Sequence, residues 1–307
     1  GFITIISHFF FEINNIFSIV VIIIGLIIFI FKRLFISQKK YFLPLIVIIF
    51  LCFFLFAYSD HPIDTNMYHH PYVSYLKSEK IIFGITNIQF RFGHISFLQY
   101  VQAALTNDYL HNISLATINI IFYVSFLIFV SGKIFEAKTI NFNLLITILF
   151  SCFLLIKFAR YREYGNDLIP LLVSIYFLIN IINIQSRYSL SQDNLINLFL
   201  PFVAFMFMHK LSYVFTFLIF SPVFIDLKNR SIDKKKIFSL VIFVFLIVPW
   251  LIKNYITTSC LAYPIVSSCF YNSLFQLNGL AAAESASWLT EIWAKGFMAH
   301  PDWQNIN

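Results

Sequence analysis

Charge is what this chain has little of. Asp, Glu, Lys and Arg make up 11% of its 307 residues, with a net charge of +7. An average soluble domain carries about 25% charged residues. Charge this sparse does not solvate the surface of a globule of this size. That excludes a soluble enzyme, a disordered chain, a coiled coil and a nucleic-acid module. Cysteine is also scarce, at four residues, and makes no disulfide scaffold. Cys52 and Cys152 lie inside apolar blocks and read as buried small hydrophobes. No internal repeat or low-complexity linker is visible, and no signal-peptide pattern precedes the first apolar block. The chain opens at Gly1 without a Met and closes at Asn307, which reads as a segment clipped at both ends.

What is there is apolar sequence in long blocks: 60% hydrophobic and 20% aromatic residues. A bilayer core about 30 Å thick takes about 20 apolar residues as a helix, within a range of ~17–25. Eight blocks approach that length: 16–31, 41–58, 113–131, 144–158, 168–184, 195–208, 211–225 and 237–252. Many are rich in Ile, Val and Phe, which favour strands in water. In lipid every backbone polar group has to be bonded within its own segment, so helix is the expected state. The runs are continuous and lack the alternation of a barrel strand. The predicted fold is therefore all-α, a polytopic bundle of about eight transmembrane spans. Residues 1–58 hold the first two spans, 59–112 a large first outer loop with interfacial helices, 113–252 a six-span bundle, and 253–307 a truncated outer segment.

Charge placement orients the bundle. With 32–40 in the cytoplasm and the sides alternating, segments 32–40, 132–143, 185–194 and 226–236 fall inside. They carry 12 of the 21 Lys and Arg but only 4 of the 14 acids, as the positive-inside rule asks. Blocks 195–208 and 211–225 are separated only by His209 and Lys210. Reading them as one span would put the basic cluster of 228–236 outside, so a helix hairpin is preferred. Ile, Phe, Asn and Lys usage suggests an AT-rich bacterial genome. The expected location is a bacterial inner (cytoplasmic) membrane, with the polar face periplasmic or extracellular.

The chemistry-bearing residues gather on that outer face. Residues 59–72 place Asp60, Asp64, three histidines and two tyrosines just beyond a membrane exit. A carboxylate there acts as a general base or binds a divalent cation that carries phosphate. The plain alternative is a polar loop in which Asp64 caps a helix. His61, His69 and His70 are zinc-ligand types in a spacing that matches no standard pattern. Segments 68–80 and 96–110 read as short amphipathic helices at the interface. Between them Arg91 and His94, flanked by glycines, either line a cavity or pack as part of a lid.

The second outer loop holds Lys157, Arg160 and Arg162 against the charge bias. Guanidinium geometry suits a phosphate, and internal pairing with Glu163 and Asp167 is the alternative. Lys210 sits between two very apolar blocks with no acid near it in sequence. Such a residue is a functional hypothesis by default, against the alternative of a lysine reaching for the headgroups. Cys260 and Cys269, both outside, are candidates for a disulfide. Segment 281–297 reads as amphipathic, with Trp288 and Trp293 as interface anchors.

The order of these features resembles the GT-C class of membrane glycosyltransferases, which includes the protein O-mannosyltransferases and the aminoarabinose transferases. Their first outer loop opens with Asp-Glu-x-x-Tyr, and Asp64-Thr65-Asn66-Met67-Tyr68 matches the Asp and the Tyr, with Thr65 in place of Glu. His94 matches loosely the family's loop histidine, and Asp167 its outward-facing Asp at a helix start. His209-Lys210-Leu211-Ser212-Tyr213 looks like the family's Lys-bearing hairpin turn. The resemblance covers roughly 41–225. The chain is also similar to a group of uncharacterised bacterial polytopic proteins with an Asp-Thr-x-x-Tyr-His loop. The resemblance implies transfer of a sugar from a polyprenyl-phosphate donor at the outer membrane face. Asp64 would be the general base. Lys210, Arg160 and Arg162 would meet the lipid phosphate, with Tyr68, Arg91, His94 and Asp167 around the substrate. The cofactor stays open, a divalent cation on Asp60 and Asp64 being the candidate. A transporter, flippase or polymerase of lipid-linked glycans, or a non-catalytic membrane protein, would use the same basic residues differently.

Overall fold

The computed structural model describes residues 2–31, 50, 65–106, 111–137, 139, 142–161, 167–186, 192–211, 213, 234–270 and 279–294. Among them the chain is all-helical and has no β-strand. Ten α-helices follow one another: α1 Phe2–Ser7, α2 Asn15–Phe31, α3 His70–Ser78, α4 Phe97–Leu105, α5 His111–Glu136, α6 Phe142–Tyr161, α7 Leu168–Ser186, α8 Gln192–His209, α9 Lys234–Thr258 and α10 Gly279–Ala294. Six of the eight expected apolar blocks fall on α2, α5, α6, α7, α8 and α9. Block 41–58 apart from Phe50, and nearly all of 211–225, lie outside the described residues.

The chain divides into two compact units. The first comprises residues 1–80 and 96–247, the second 81–95 and 248–307, so α9 contributes to both. In the first unit, burial follows helical stripes. On α7, Leu168, Leu172, Ile175 and Ile179 recur at i, i+4, i+7 and i+11. They pack with Ile120, Tyr123, Val124 and Val130 of α5 and Leu154 of α6. Phe202, Val203 and Met206 of α8 close on α7, where Phe177 stacks on Phe202 at 3.8 Å. Leu98 of α4 meets Ile118 and Ile169.

The short helices are set by local chemistry. Ser96 caps α4 by accepting from the Leu98 N–H at 3.3 Å, while Gln99 accepts from the Ser96 N–H at 2.9 Å. This reciprocal capping box satisfies two otherwise unpaired donors. Segment 68–80 is a π-helical turn, Thr65–His69, running into α3, and Pro71 sits in the first turn of α3, where its missing N–H costs nothing. α3 lies on α4 through a buried contact between the Tyr72 and Tyr100 hydroxyls, 3.2 Å apart. Burial pushes both phenols above their ordinary range, so both stay protonated. α2 meets α4 where Ser18, fully buried, donates to the Ala103 carbonyl at 3.4 Å.

Elsewhere α2 exposes Ile16, Ile19, Val20, Ile23, Ile24 and Ile27, and α9 exposes Ile237, Phe238, Leu240, Val241, Val244 and Phe245. Contiguous apolar exposure on this scale is foreign to a monomeric soluble surface. Within α9 the stretch Ile237–Thr258 is, among the described residues, the one helix long and apolar enough to cross a bilayer by length and composition. Shorter apolar helical stretches run over Asn15–Ile28, Ile118–Ile134, Leu144–Leu154, Leu168–Asn180 and Leu200–His209. Cys152 corrects its expected burial: it is exposed. It shares one face of α6 with exposed Leu145, Leu149 and Phe153, while buried Leu154 lies opposite Leu145 around the helix.

The second unit is built around Tyr263. Its ring lies against Gly93, where an added Cβ would come within 2.6 Å of the ring and 2.8 Å of Thr86 Cγ2. Its hydroxyl sits 2.7 Å from the Phe90 carbonyl and 2.9 Å from that of Ala282 in α10. Gly84, at φ 63°, turns the chain into a short 3-10 helix, and its N–H donates to the Ile256 carbonyl at 3.2 Å. The Trp250 indole donates to the Ile95 carbonyl at 3.2 Å. Cys260 and Cys269 are joined by a disulfide, flanked by backbone pairing of Leu261 with Ser268 and of Phe270 with Ser259.

Candidate functional site

α8 stops at an apolar-to-basic junction. The Lys210 N–H still donates to the Met206 carbonyl at 3.2 Å, and the Tyr213 N–H turns back onto the Lys210 carbonyl at 3.0 Å. The chain thus leaves the α-helix through a 3-10 turn. Facing this turn is the start of α7. Asp167 stands just before its first turn, where unpaired backbone N–H groups favour a carboxylate. Lys210 Nζ donates to Asp167 Oδ1 at 2.6 Å, and the Tyr213 hydroxyl donates to the Asp167 carbonyl at 3.3 Å. The acid that Lys210 lacks in its own neighbourhood is supplied from 43 residues away. The pair is far from buried, with the two side chains 51% and 44% exposed. A half-exposed cation beside a helix start can exchange its carboxylate partner for an external anion at low cost.

Directly before Lys210, His209 turns inward and is buried. Its Nδ1 lies 2.8 Å from the Phe205 carbonyl one turn back. Its ring packs on Phe205 at 4.1 Å and on Phe97 of α4 at 5.5 Å. Asp167 at the start of α7 thus meets Lys210 and Tyr213 at the end of α8, while His209, next to Lys210 in the chain, is buried against Phe205 and Phe97. A family model, described as a domain of unknown function (DUF8201), matches residues 1–306. The chain belongs to the DUF8201 family. No curated protein and no solved structure matches it.

In this DUF8201 chain the predicted site residues divide between the two units. Lys210 and Asp167 come together, as described. Arg160 lies in the last turn of α6, on the chain that leads to Asp167. Tyr68 belongs to the π-helical turn ahead of α3, and its ring lies 4.1 Å from that of His69. Arg91 and His94 belong to the second unit. Arg91 lies 5.7 Å over the Phe90 ring and His94 meets Tyr263 edge-on at 5.3 Å. Asp60, Asp64, His61, Arg162 and Glu163 lie outside the described residues. Among the described residues no three His, Cys, Asp or Glu cluster as a metal site. Trp288 on α10 is exposed, at 47%.

The sequence singles out Lys210 and Asp167 but not their pairing. His209 and Tyr213 stand out in it only as flanks of the turn. The signal for both is their position: His209 directly before a lone lysine between two apolar blocks, and Tyr213 three residues after it.

Proposed function

We propose that this chain is a polytopic bacterial inner-membrane protein of about eight spans, acting as a GT-C-like glycosyltransferase. The reaction moves a sugar from a polyprenyl phosphate to an acceptor hydroxyl at the outer face. The observation that carries this reading is the ion pair of Lys210, at the end of α8, with Asp167, at the start of α7. The unpacked apolar faces of α2 and α9 support the membrane setting. The Cys260–Cys269 disulfide supports an oxidising, outer side for the second unit.

In this reading Lys210 receives the lipid phosphate, and Asp167 holds the ammonium in place until the anion arrives. Arg160 and Arg162 add positive charge on the segment that precedes Asp167. Asp64 takes the proton of the acceptor hydroxyl as its oxygen bonds to the anomeric carbon. The bond from that carbon to the phosphate oxygen breaks, and the lipid leaves as a phosphate monoester. Positive groups fixed in advance near the departing phosphate stabilise the charge that develops there.

Native mass spectrometry of the protein in mild detergent tests the reading. Bound polyprenyl phosphate is expected in the wild type, lost in Lys210→Ala and kept in Asp64→Asn. Absence of such lipid from every form would sink the proposal. Retention of the lipid with no sugar transfer by any form would shift it to a transporter, flippase or polymerase of lipid-linked glycans.

A further inference from the structure

We infer that His209 reads a hydroxyl of the lipid-linked sugar through Nε2, beside the phosphate held by Lys210. The inference deepens the proposed function and rests on it. It starts from the hydrogen bond at the other ring nitrogen. A carbonyl oxygen only accepts, so the 2.8 Å contact with Phe205 makes Nδ1 the protonated nitrogen. Nε2 is then the lone-pair nitrogen of a neutral imidazole. A second proton there would place an unpaired charge in a buried, aromatic-walled site, which is strongly unfavourable.

Nε2 is buried and has no hydrogen-bond partner, while the residue as a whole is 4% exposed. Buried polar atoms in folded chains nearly always have partners, and an exception asks for an explanation. This one faces no donor from the chain, so its partner has to bring an O–H or N–H. Its position narrows the class. His209 adjoins Lys210, whose ammonium is the anion receptor of the pair with Asp167. A molecule that places a phosphate on Lys210 and a donor on Nε2 carries both a phosphate and nearby hydroxyls, as a sugar phosphate does. Phe205 and Phe97 set aromatic rings against the His209 ring, and aromatic surface is the usual partner of a sugar's apolar face. Both rings are only part-buried, so the His209 ring lies beside partly exposed aromatic surface.

The role assigned to His209 is recognition and not proton transfer. Removing it is therefore expected to change selectivity while leaving phosphate binding intact. The test compares retention of farnesyl phosphate with farnesyl phosphates carrying glucose, galactose, mannose or 4-aminoarabinose, by native mass spectrometry in one detergent. Wild type is expected to prefer at least one sugar-bearing lipid by about five- to tenfold, the worth of one net hydrogen bond. His209→Phe is expected to abolish that preference yet keep the bare lipid, and His209→Gln, whose amide oxygen restores an acceptor, to recover part of it. If His209→Phe fails to fold, His209→Gln against His209→Leu carries the same comparison.

A preference unchanged in the His209 variants, or no preference in the wild type for any of the four sugars, would overturn this inference while leaving the proposed function standing. A sugar preference lost in every variant, Lys210→Ala included, with the bare lipid also lost, would mean that the site collapsed as a whole; that too overturns the assignment to His209. No retention of any lipid by the wild type overturns both.

Discussion

Lys210 and Asp167 are each about half exposed, so water already screens their attraction. Exposed ion pairs contribute about 0.2–1 kcal/mol, and this one is no anchor of the fold. Lys210→Met is accordingly expected to change unfolding free energy by less than about 1 kcal/mol, and thermal melting in detergent would record it. A loss of several kcal/mol would mean that the pair is structural, and the anion-receptor reading would fail with it. The opposite holds at Gly93. A methyl group there meets two ring carbons of Tyr263, at 2.6 and 2.7 Å, and Thr86 at 2.8 Å. Tyr263 cannot retreat freely, because its hydroxyl is engaged by carbonyls of Phe90 and Ala282. Gly93→Ala is expected to destabilise the second unit by about 1–3 kcal/mol. Proteolysis after residue 247 would report the loosening; unaltered protection would show that the tail adapts.

Helix starts and contacts carry the next level of argument. The capping box of α4 joins Ser96 and Gln99 at the position where α4 must begin for Leu98 to reach Ile118 and Ile169. Ser96→Ala removes the side-chain acceptor and is expected to cost about 1 kcal/mol, read as a lower melting temperature; Ser96→Asp should recover most of it. Between the long helices the energetics depend on the solvent. In lipid, association of α5, α6 and α7 owes little to the hydrophobic effect and rests on close packing. That is consistent with the interleaved stripe of Leu168, Leu172, Ile175 and Ile179 against α5.

For the molecule as a whole, the question is what surrounds the apolar faces. Cys152 offers a probe already in place: it is exposed, and its neighbours on α6 are Leu145, Leu149 and Phe153. In intact membranes a charged maleimide is expected to label it at least tenfold more slowly than a lipid-soluble one, with the difference vanishing in denaturant. Cys52, the other cysteine outside the disulfide, is replaced by Ser so that the signal has one source. Equal rates with both reagents would place α6 in water and end the polytopic reading.

Much of the fold was legible in the sequence because its causes are local. An apolar block has to pair its own backbone, and the helix is the segment-internal way to do so; hence six predicted blocks coincide with α2 and α5–α9. The break at Lys210 was legible for a related reason, since two polar residues between apolar blocks cannot sit inside a continuous span without partners. What tertiary structure decided is which faces meet. Asp167 reaches Lys210 across 43 residues, and Tyr263 reaches the Phe90 carbonyl across 173. Cys152 faces outward although its block is as apolar as its buried neighbour Leu154. Composition tells that a residue avoids water, but not whether helix or lipid covers it. That choice belongs to the rotation of each helix about its axis, which only packing against the other helices sets.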